Sequence, residues 1–428
     1  MDLQSGDRVA LLQPGSTAYV ETVVGLLSGG VLPVPLDPSL TVVERERILA
    51  DVDPVLVVDT AEGLAELHEG LSDERRRGLA LGPPLGLPLG LPLGRPMHVT
   101  SGTTGRPKAV HSGVLDPTAA RALVAEEREL WGFAADDVNL VLSPIHHSAP
   151  LRFATGTLLA GGRLVFSGGF DPARITDLIE AERPTSMFCV PTHLQRLFTH
   201  WDAHGTPDLR CFRLVAHAGA ACPPELKRRL IEACPDGATW EFYGSTEGQF
   251  TACRSEEWEQ RPGTVGRARP GRELIVDDDG TIWCVVPPHA RFEYFRDPEK
   301  TAGAWRSLPD GQSAFTVGDL GRLDDDGYLF LDGRREDLVI SGGVNVYPVE
   351  VENALREHPG VEDVAVYGVP DDEWGQRVCA AVVGTASEQE LTAYARERLS
   401  PAKRPKQWRF LPELPHTATG KVRRRELS

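Results

Sequence analysis

Lysine is nearly absent from this chain: six of its 45 basic residues are lysine and the other 39 are arginine. Methionine occurs three times, and the seven cysteines include no Cys-x-x-Cys pair. An odd, scattered cysteine set excludes a disulfide framework and a zinc knuckle and fits a reducing cytoplasm. Long apolar runs are also missing. The most apolar stretch, 79–93, is broken by proline and glycine every few residues, so no membrane helix and no membrane partner are expected. The opening residues, MDLQSGDRVALLQPG, have no basic region leading into an apolar run, and no export signal is expected. Positive charge is scarce overall, with 45 basic against 62 acidic residues and a net charge of -17. That balance argues against a nucleic-acid partner, because phosphate backbones reward clustered Lys and Arg. It leaves ATP open, which needs only a local pocket of backbone N–H groups and a metal.

A chain of 428 residues is long enough for one large core and one smaller one, so two domains are expected. Short apolar runs at 9–12, 32–34 and 55–58 alternate with helix-spaced segments at 17–27 and 42–52, the pattern of crossover units on a mostly parallel sheet. Residues 81–94 repeat Pro-Leu-Gly three times and read as a linker or surface loop. Strand-like runs resume at 97–100, 139–142, 164–166, 186–190 and 213–216. From about 263 to 331 short strands separated by DDDG turns (277–280 and 324–327) suggest antiparallel, barrel-like structure. A terminal unit of helices at 349–356 and 388–399, with strands at 361–369 and 377–383, completes the chain. The expected fold class is α/β: a large N-terminal domain (1–335) of parallel αβ-layered sheets with a small barrel, and a small mobile α+β C-terminal domain (336–428).

The most informative loop is Thr100-Ser101-Gly102-Thr103-Thr104-Gly105-Arg106-Pro107-Lys108. Its glycines let backbone approach phosphates closely, and its hydroxyls add donors or a magnesium ligand. It is not a Walker loop, which requires G-x-x-x-x-G-K-[ST]. In the segment Tyr243-Gly244-Ser245-Thr246-Glu247, Glu247 offers a carboxylate to a hard cation such as Mg²⁺. Asp319 can accept two hydroxyl hydrogen bonds, which suits a ribose diol. A solvated turn is the alternative reading for each of these taken alone.

TSGTTGRPK (100–108) resembles the phosphate-loop signature of the adenylate-forming superfamily, which includes acyl-CoA synthetases, luciferases and peptide-synthetase adenylation domains. HAGAACPPEL (217–226), EFYGSTEG (241–248), GTVGRARPG (263–271), the segment 316–352 and PHTATGKVRRREL (415–427) are similar to the family's other signatures, in its order. The resemblance covers nearly the whole chain and is weakest over its first 100 residues.

The resemblance implies ATP, Mg²⁺ and coenzyme A as reactants and cofactors. It places Thr100–Gly105 and Lys108 at the phosphates, with Thr104 and Glu247 on magnesium. Gly219, Ala220 and Ala221 border the adenine, Tyr243 stacks on it, and Gly244, Ser245 and Thr246 continue the nucleotide site. Asp319 takes the ribose, Arg334 assists there or at phosphate, and Glu336 stands at the interdomain hinge, usually Asp or Lys in the family. Lys421 is the late catalytic lysine, and Ser341-Gly342-Gly343 lines the pantetheine tunnel. Ser143-Pro144-Ile145-His146-His147 is similar to the family's Pro-x-x-His segment and puts His147 at the acyl pocket with Gly244 and Gln249. No third ligand is spaced to make the two histidines a metal site. Arg152 reads as an ordinary surface arginine, with pairing to a second carboxylate as the alternative.

Three departures stand out: only five residues precede GDRVALLQPG, Ala109 replaces a common glycine, and FEYF (292–295) replaces a usual Gly-Tyr pair. A reduced N-terminal region would widen the substrate cavity or expose a homodimer surface.

The expected function is an AMP-forming acyl-CoA synthetase: carboxylic acid, ATP and coenzyme A give acyl-CoA, AMP and pyrophosphate through an acyl-adenylate. Fatty, aryl and bulky alicyclic acids are all compatible. The short form and the arginine-rich, high-GC character prompt an expectation of specialised, antibiotic-type metabolism. The alternatives are a ligase loading the phosphopantetheine of an acyl carrier protein and a non-catalytic nucleotide-binding relative.

Overall fold

A computed structural model describes residues 3–76, 89–100, 108–220, 222–333, 338–346, 348–415, 422 and 424–427. The chain divides into two compact units, Met1–Pro38, Asp53–Val99 and Ala109–Gly333 in one, and Ser39–Val52, Thr100–Lys108 and Arg334–Ser428 in the other. The main division thus falls two residues before the expected one, and the smaller unit also takes in two segments from the N-terminal part.

The larger unit begins with three parallel strands in the order Leu32–Pro35, Arg8–Leu11, Leu56–Val58. Helix Thr17–Ser28 starts where the Ser16 hydroxyl accepts from the Tyr19 amide at 3.1 Å, a cap that satisfies one free donor of the first turn. Its Tyr19, Val23 and Leu26 pack with Val9 and Leu11 and with Leu151 and Leu158 of helix Ser148–Leu159.

A nine-stranded sheet forms the centre of this unit. Five of its strands are parallel, in the order Thr239–Glu241, Leu214–His217, Ser186–Cys189, Val138–Val141, Arg163–Phe166. Ser186–Cys189 and Leu214–His217 are buried along their whole length, as expected where both faces of a parallel sheet are covered.

The turn-rich segment is antiparallel as expected, and its strands divide between two sheets. Thr264–Ala268, Leu320–Leu323 and Tyr328–Gly333 extend the large sheet, while Glu273–Val276, Ile282–Val286, Ser313–Phe315 and Trp305–Ser307 form a sheet of their own. An isolated bridge between Thr281 and Leu320 links them. Both DDDG segments are tight turns, with the Gly280 and Gly327 amides donating to Asp277 and Asp324 carbonyls at 2.8 and 3.0 Å. Of the Pro-Leu-Gly repeat, residues 81–88 lie outside the described residues, and 89–94 contain no helix or strand.

In the smaller unit, strands Val361–Asp371 and Gly375–Gly384 form a long antiparallel pair, joined by Gln407–Phe410 in parallel and by the hairpin Val339–Ser341/Val344–Val346. Helices Pro348–Arg356 and Glu388–Arg398 close its core around Val351, Leu355, Val366 and Leu391. Helix Val42–Val52 belongs here too: Glu44 accepts from the Ser400 amide at 2.8 Å, and Lys403 bridges Glu350 at 2.8 Å and Glu44 at 3.6 Å. Among the described residues, no helix is long and apolar enough to cross a membrane.

Candidate active site

In the parallel part of the sheet, Glu241 registers with His217, so two adjacent strands end together. The loops leaving them, 218–220 and 242–249, therefore emerge side by side at the carboxyl ends of the strands, where open α/β sheets bind ligands. Gly219 and Ala220 lie on the first loop; Ala221 is outside the described residues. Tyr243, Gly244, Ser245, Thr246, Glu247 and Gln249 lie on the second.

The second loop is fixed by its own backbone. The Ser245 amide donates to the Gly248 carbonyl at 2.9 Å, and Gly244 bridges Gln249. A Cβ on Gly244 would stand 2.8 Å from both Gln249 Cα and the Gly248 oxygen, so no larger residue fits without moving backbone. Tyr243 is buried against Phe250, and its hydroxyl donates to Asp319 Oδ2 at 2.6 Å. Glu247 is buried, with Oε1 accepting from the Tyr294 hydroxyl at 2.8 Å. Tyr294 stands in the FEYF segment that the sequence marked only as a departure.

The same loop borders a cavity of about 140 Å³, lined by Ser245, Thr246, Gly248 and Gln249. Leu27, Leu123, Val124, Phe133, Leu151 and Leu159 give it apolar walls. His98 and Ser148 are part of the lining, whereas His147 is exposed, 4.2 Å from the His146 ring, and is not a lining residue.

Charge enters the cavity from Arg95, Arg128, Arg152, Arg269 and Arg272, with Glu127 as its lining carboxylate. Helix Pro117–Trp131, started by Asp116 accepting from the Thr118 and Ala119 amides, carries Glu126 and Glu127. Consecutive helical residues point about 100° apart, and the two carboxylates serve different partners. Arg272 donates twice to Glu126, at 3.2 and 2.8 Å, and His289 is 2.6 Å from it. Arg269 donates to Glu127 at 2.8 Å, Trp131 Nε1 donates to it at 3.1 Å, and Arg152 Nε lies 3.5 Å away. Burial works to raise the Glu127 carboxyl, but the Arg152 and Arg269 charges and the hydrogen bonds outweigh it and hold it down at about 2. Arg152 is therefore no surface arginine: it lines the cavity beside Glu127, with its guanidinium over the Phe242 ring at 5.1 Å. None of Arg95, Glu127, Arg269 and Arg272 stands out as a site residue in the sequence; Arg269 lies within GTVGRARPG, and nothing local marks the others.

In the smaller unit, Ser341 ends one strand of the Val339–Ser341/Val344–Val346 hairpin and registers with Val344. Gly342 and Gly343 form the two-residue turn at φ 59° and 80°, the left-handed pair that such a turn requires. The Ser341 hydroxyl is buried with no partner among the described residues, and the Gly342 amide donates to the Trp374 carbonyl at 2.9 Å. Thr100 ends strand His98–Thr100 and Lys108 begins strand Lys108–His111. Ser101, Gly102, Thr103, Thr104, Gly105, Arg334, Glu336 and Lys421 lie outside the described residues.

Among the described residues no group of three or more His, Cys, Asp or Glu side chains is placed to hold a metal ion. Glu247, a single buried carboxylate, fits an ion that takes one or two protein carboxylates and fills its shell with phosphate and water oxygens, as Mg²⁺ does.

Comparison with known proteins is decisive at this point. A family model described as AMP-binding enzyme matches residues 1–82 and 97–289, and one described as AMP-binding enzyme C-terminal domain matches 350–421. The chain belongs to the AMP-binding enzyme family. A feruloyl-CoA synthase from Amycolatopsis sp is 34% identical over 99% of this chain and 89% of its own. The o-succinylbenzoate CoA synthetase structure from Bacillus subtilis superposes with a TM-score of 0.81 at 26% identity, covering 99% of this chain and 88% of that one. An amide bond synthetase from Marinactinospora thermotolerans gives 0.80 at 30% identity, covering 99% and 90%. This AMP-binding enzyme is an AMP-forming acid–thiol ligase of the general acyl-CoA synthetase type. The gap in the first match, 83–96, coincides with the Pro-Leu-Gly repeat.

Proposed function

We propose that this AMP-binding enzyme activates a carboxylic acid held in the cavity at 245–249 and transfers the acyl group to coenzyme A. One observation carries the reading: the loop Tyr243–Gln249 meets Asp319 through Tyr243 and walls the cavity through Ser245, Thr246 and Gln249. A nucleotide on one side and an acid on the other would meet across a single rigid turn, which is what an in-line attack needs.

Carboxylates acylate poorly because the leaving group would be oxide. In the first half-reaction a carboxylate oxygen attacks the α-phosphorus of ATP, a P–O bond forms, and pyrophosphate leaves. The product is a mixed anhydride whose leaving group is AMP. In the second, the thiol of coenzyme A attacks the carbonyl carbon, loses its proton, and AMP departs. Asp319 holds the ribose hydroxyls and Tyr243 covers the adenine beside Gly219, Ala220 and Ala221. Glu247, with Thr104, would hold Mg²⁺, which neutralises phosphate charge when bound. Thr100–Gly105, Lys108 and Arg334 bind the phosphates and ribose, and Lys421 stabilises the charge that develops in the first step. Ser341–Gly343 lines the pantetheine path, and Glu336 is the hinge.

The division of labour is testable. Lys421→Ala should abolish acid-dependent pyrophosphate release while synthetic acyl-AMP is still converted to thioester. Equal loss of both steps would refute it. Supplying one acyl-adenylate with free coenzyme A and with a holo carrier protein in parallel identifies the acceptor.

A further inference from the structure

The charges around the cavity do not balance. Five arginines line it; Arg128 stands on the same helix as Glu127, and the other four, Arg95, Arg152, Arg269 and Arg272, have two carboxylates near them, Glu127 in the lining and Glu126 behind it. Arg272 is matched twice by Glu126, and Arg269 is matched by Glu127. The other two have no carboxylate hydrogen-bonded to them among the described residues. Arg95 is held by backbone alone, donating to the carbonyls of Glu247, Ala290 and Arg291 at 3.3, 3.2 and 3.4 Å. Burial, with only Glu127 to offset it among its neighbours, pushes the Arg95 guanidinium down to about 10.

Arg152 is the more telling case. Its Nε is shut off from solvent and has no hydrogen-bond partner among the described residues, with Glu127 Oε2, which accepts from Trp131, as its ion-pair partner 3.5 Å away. Its terminal nitrogens donate to nothing among the described residues, yet the side chain keeps 23% of its surface accessible and lines the cavity. A largely buried guanidinium whose terminal nitrogens have no acceptor is costly unless something completes it. A planar fork of N–H groups is the geometry that matches a carboxylate.

We infer that the acid taken by this enzyme carries a second carboxylate, received by Arg152 and backed by the Arg95 charge, with its carbon skeleton against the leucine- and phenylalanine-lined wall. The inference rests on the cavity being the acyl site. The carboxylate that reacts stands at the Ser245–Gln249 end, and the second is bound without being altered, so it imposes specificity and takes no part in bond making. Monocarboxylates of the same length would leave the Arg152 terminal nitrogens without an acceptor in the complex and bind less well.

The test compares matched acids on the full chain. The probes are α,ω-dicarboxylates from succinate to sebacate against straight-chain monocarboxylates of equal carbon number, and terephthalate against p-toluate. Pyrophosphate release gives kcat/KM, and calorimetric titration in the presence of AMP gives binding independently of turnover. In the wild type at least one diacid should exceed its monoacid partner about tenfold or more, the size of a lost hydrogen bond to a charged group. Arg152→Met should bring that ratio to about one, mainly through KM, and Arg152→Lys should recover part of it. The inference is overturned if no diacid exceeds its partner in either measurement, or if Arg152→Met lowers both members of a pair alike. Absence of pyrophosphate release with every acid would sink the acyl-activation reading instead, and the titrations would still decide whether Arg152 selects a diacid.

Discussion

Removing the Glu127 charge should destabilise the protein by an amount that depends on pH in a defined way. Glu127→Gln keeps the side chain's shape and an oxygen for Trp131 or Arg269, but leaves Arg152 and Arg269 without their shared counter-charge. The folded carboxyl titrates at about 2 against an ordinary 4.5, and 17% of the side chain is accessible, so solvent screening is limited. At about 1.4 kcal/mol per unit, the shift corresponds to about 3 kcal/mol of stability. That is the scale expected when one member of a buried ion pair is removed. Because the folded value is the lower one, the unfolded chain binds the extra proton. The contribution is complete above the unfolded value and lost as pH falls toward the folded one, with about half remaining near pH 3. Urea unfolding followed by tryptophan fluorescence suits the purpose, since Trp131 donates to Glu127 itself. The gap between wild type and variant should be about 3 kcal/mol at pH 7 and should narrow between pH 5 and 3. A variant within 0.5 kcal/mol of wild type at pH 7, well below the scale for a broken buried pair, or a gap that does not change with pH, would refute the electrostatic account of the cluster.

Gly244→Ala should lower kcat/KM for pyrophosphate release about tenfold or more, because both atoms that its Cβ would meet at 2.8 Å are backbone and neither can rotate away. Gly303→Ala is the control, since nothing lies within 4 Å of its Cβ in helix Pro298–Ala304; it should leave the rate unchanged and raise thermal stability slightly. Equal rates for the two variants would dismiss the loop as the rigid part of the site. Lys227 and Glu241, 3% and 6% exposed, form a buried ion pair with the ammonium 4.8 Å from the Trp258 ring. Lys227→Met should destabilise by about 3 kcal/mol or more, and Lys227→Met with Glu241→Met should recover most of that loss; calorimetric unfolding would reject the idea if the double variant is the worse one.

Local features of this molecule were readable wherever the chain solves its problem with neighbours in sequence. The two DDDG segments became tight turns because an aspartate carbonyl and a glycine amide three residues on can close them in isolation. The βα alternation of the first sixty residues became a parallel sheet for the same reason: each period is set within a few residues. Helix Val42–Val52 shows where this stops. Its apolar spacing revealed a helix, but its grouping with the smaller unit depends on Glu44 meeting Ser400, 356 residues away.

The candidate site divides along the same line, and the division explains why the reaction was legible and the acid was not. Gly244, Thr246 and Glu247 lie within one turn, so their spacing could be read from the sequence alone. The cavity is built otherwise: Arg95 reaches carbonyls 152 and 195 residues away, and Arg269 meets Glu127 across 142. An arginine such as Arg152 looks like any surface cation in sequence, because burial and counter-charge belong to the fold and not to the residue. The charge balance of the cavity therefore rests on long-range placement, where single substitutions shift it by one full charge.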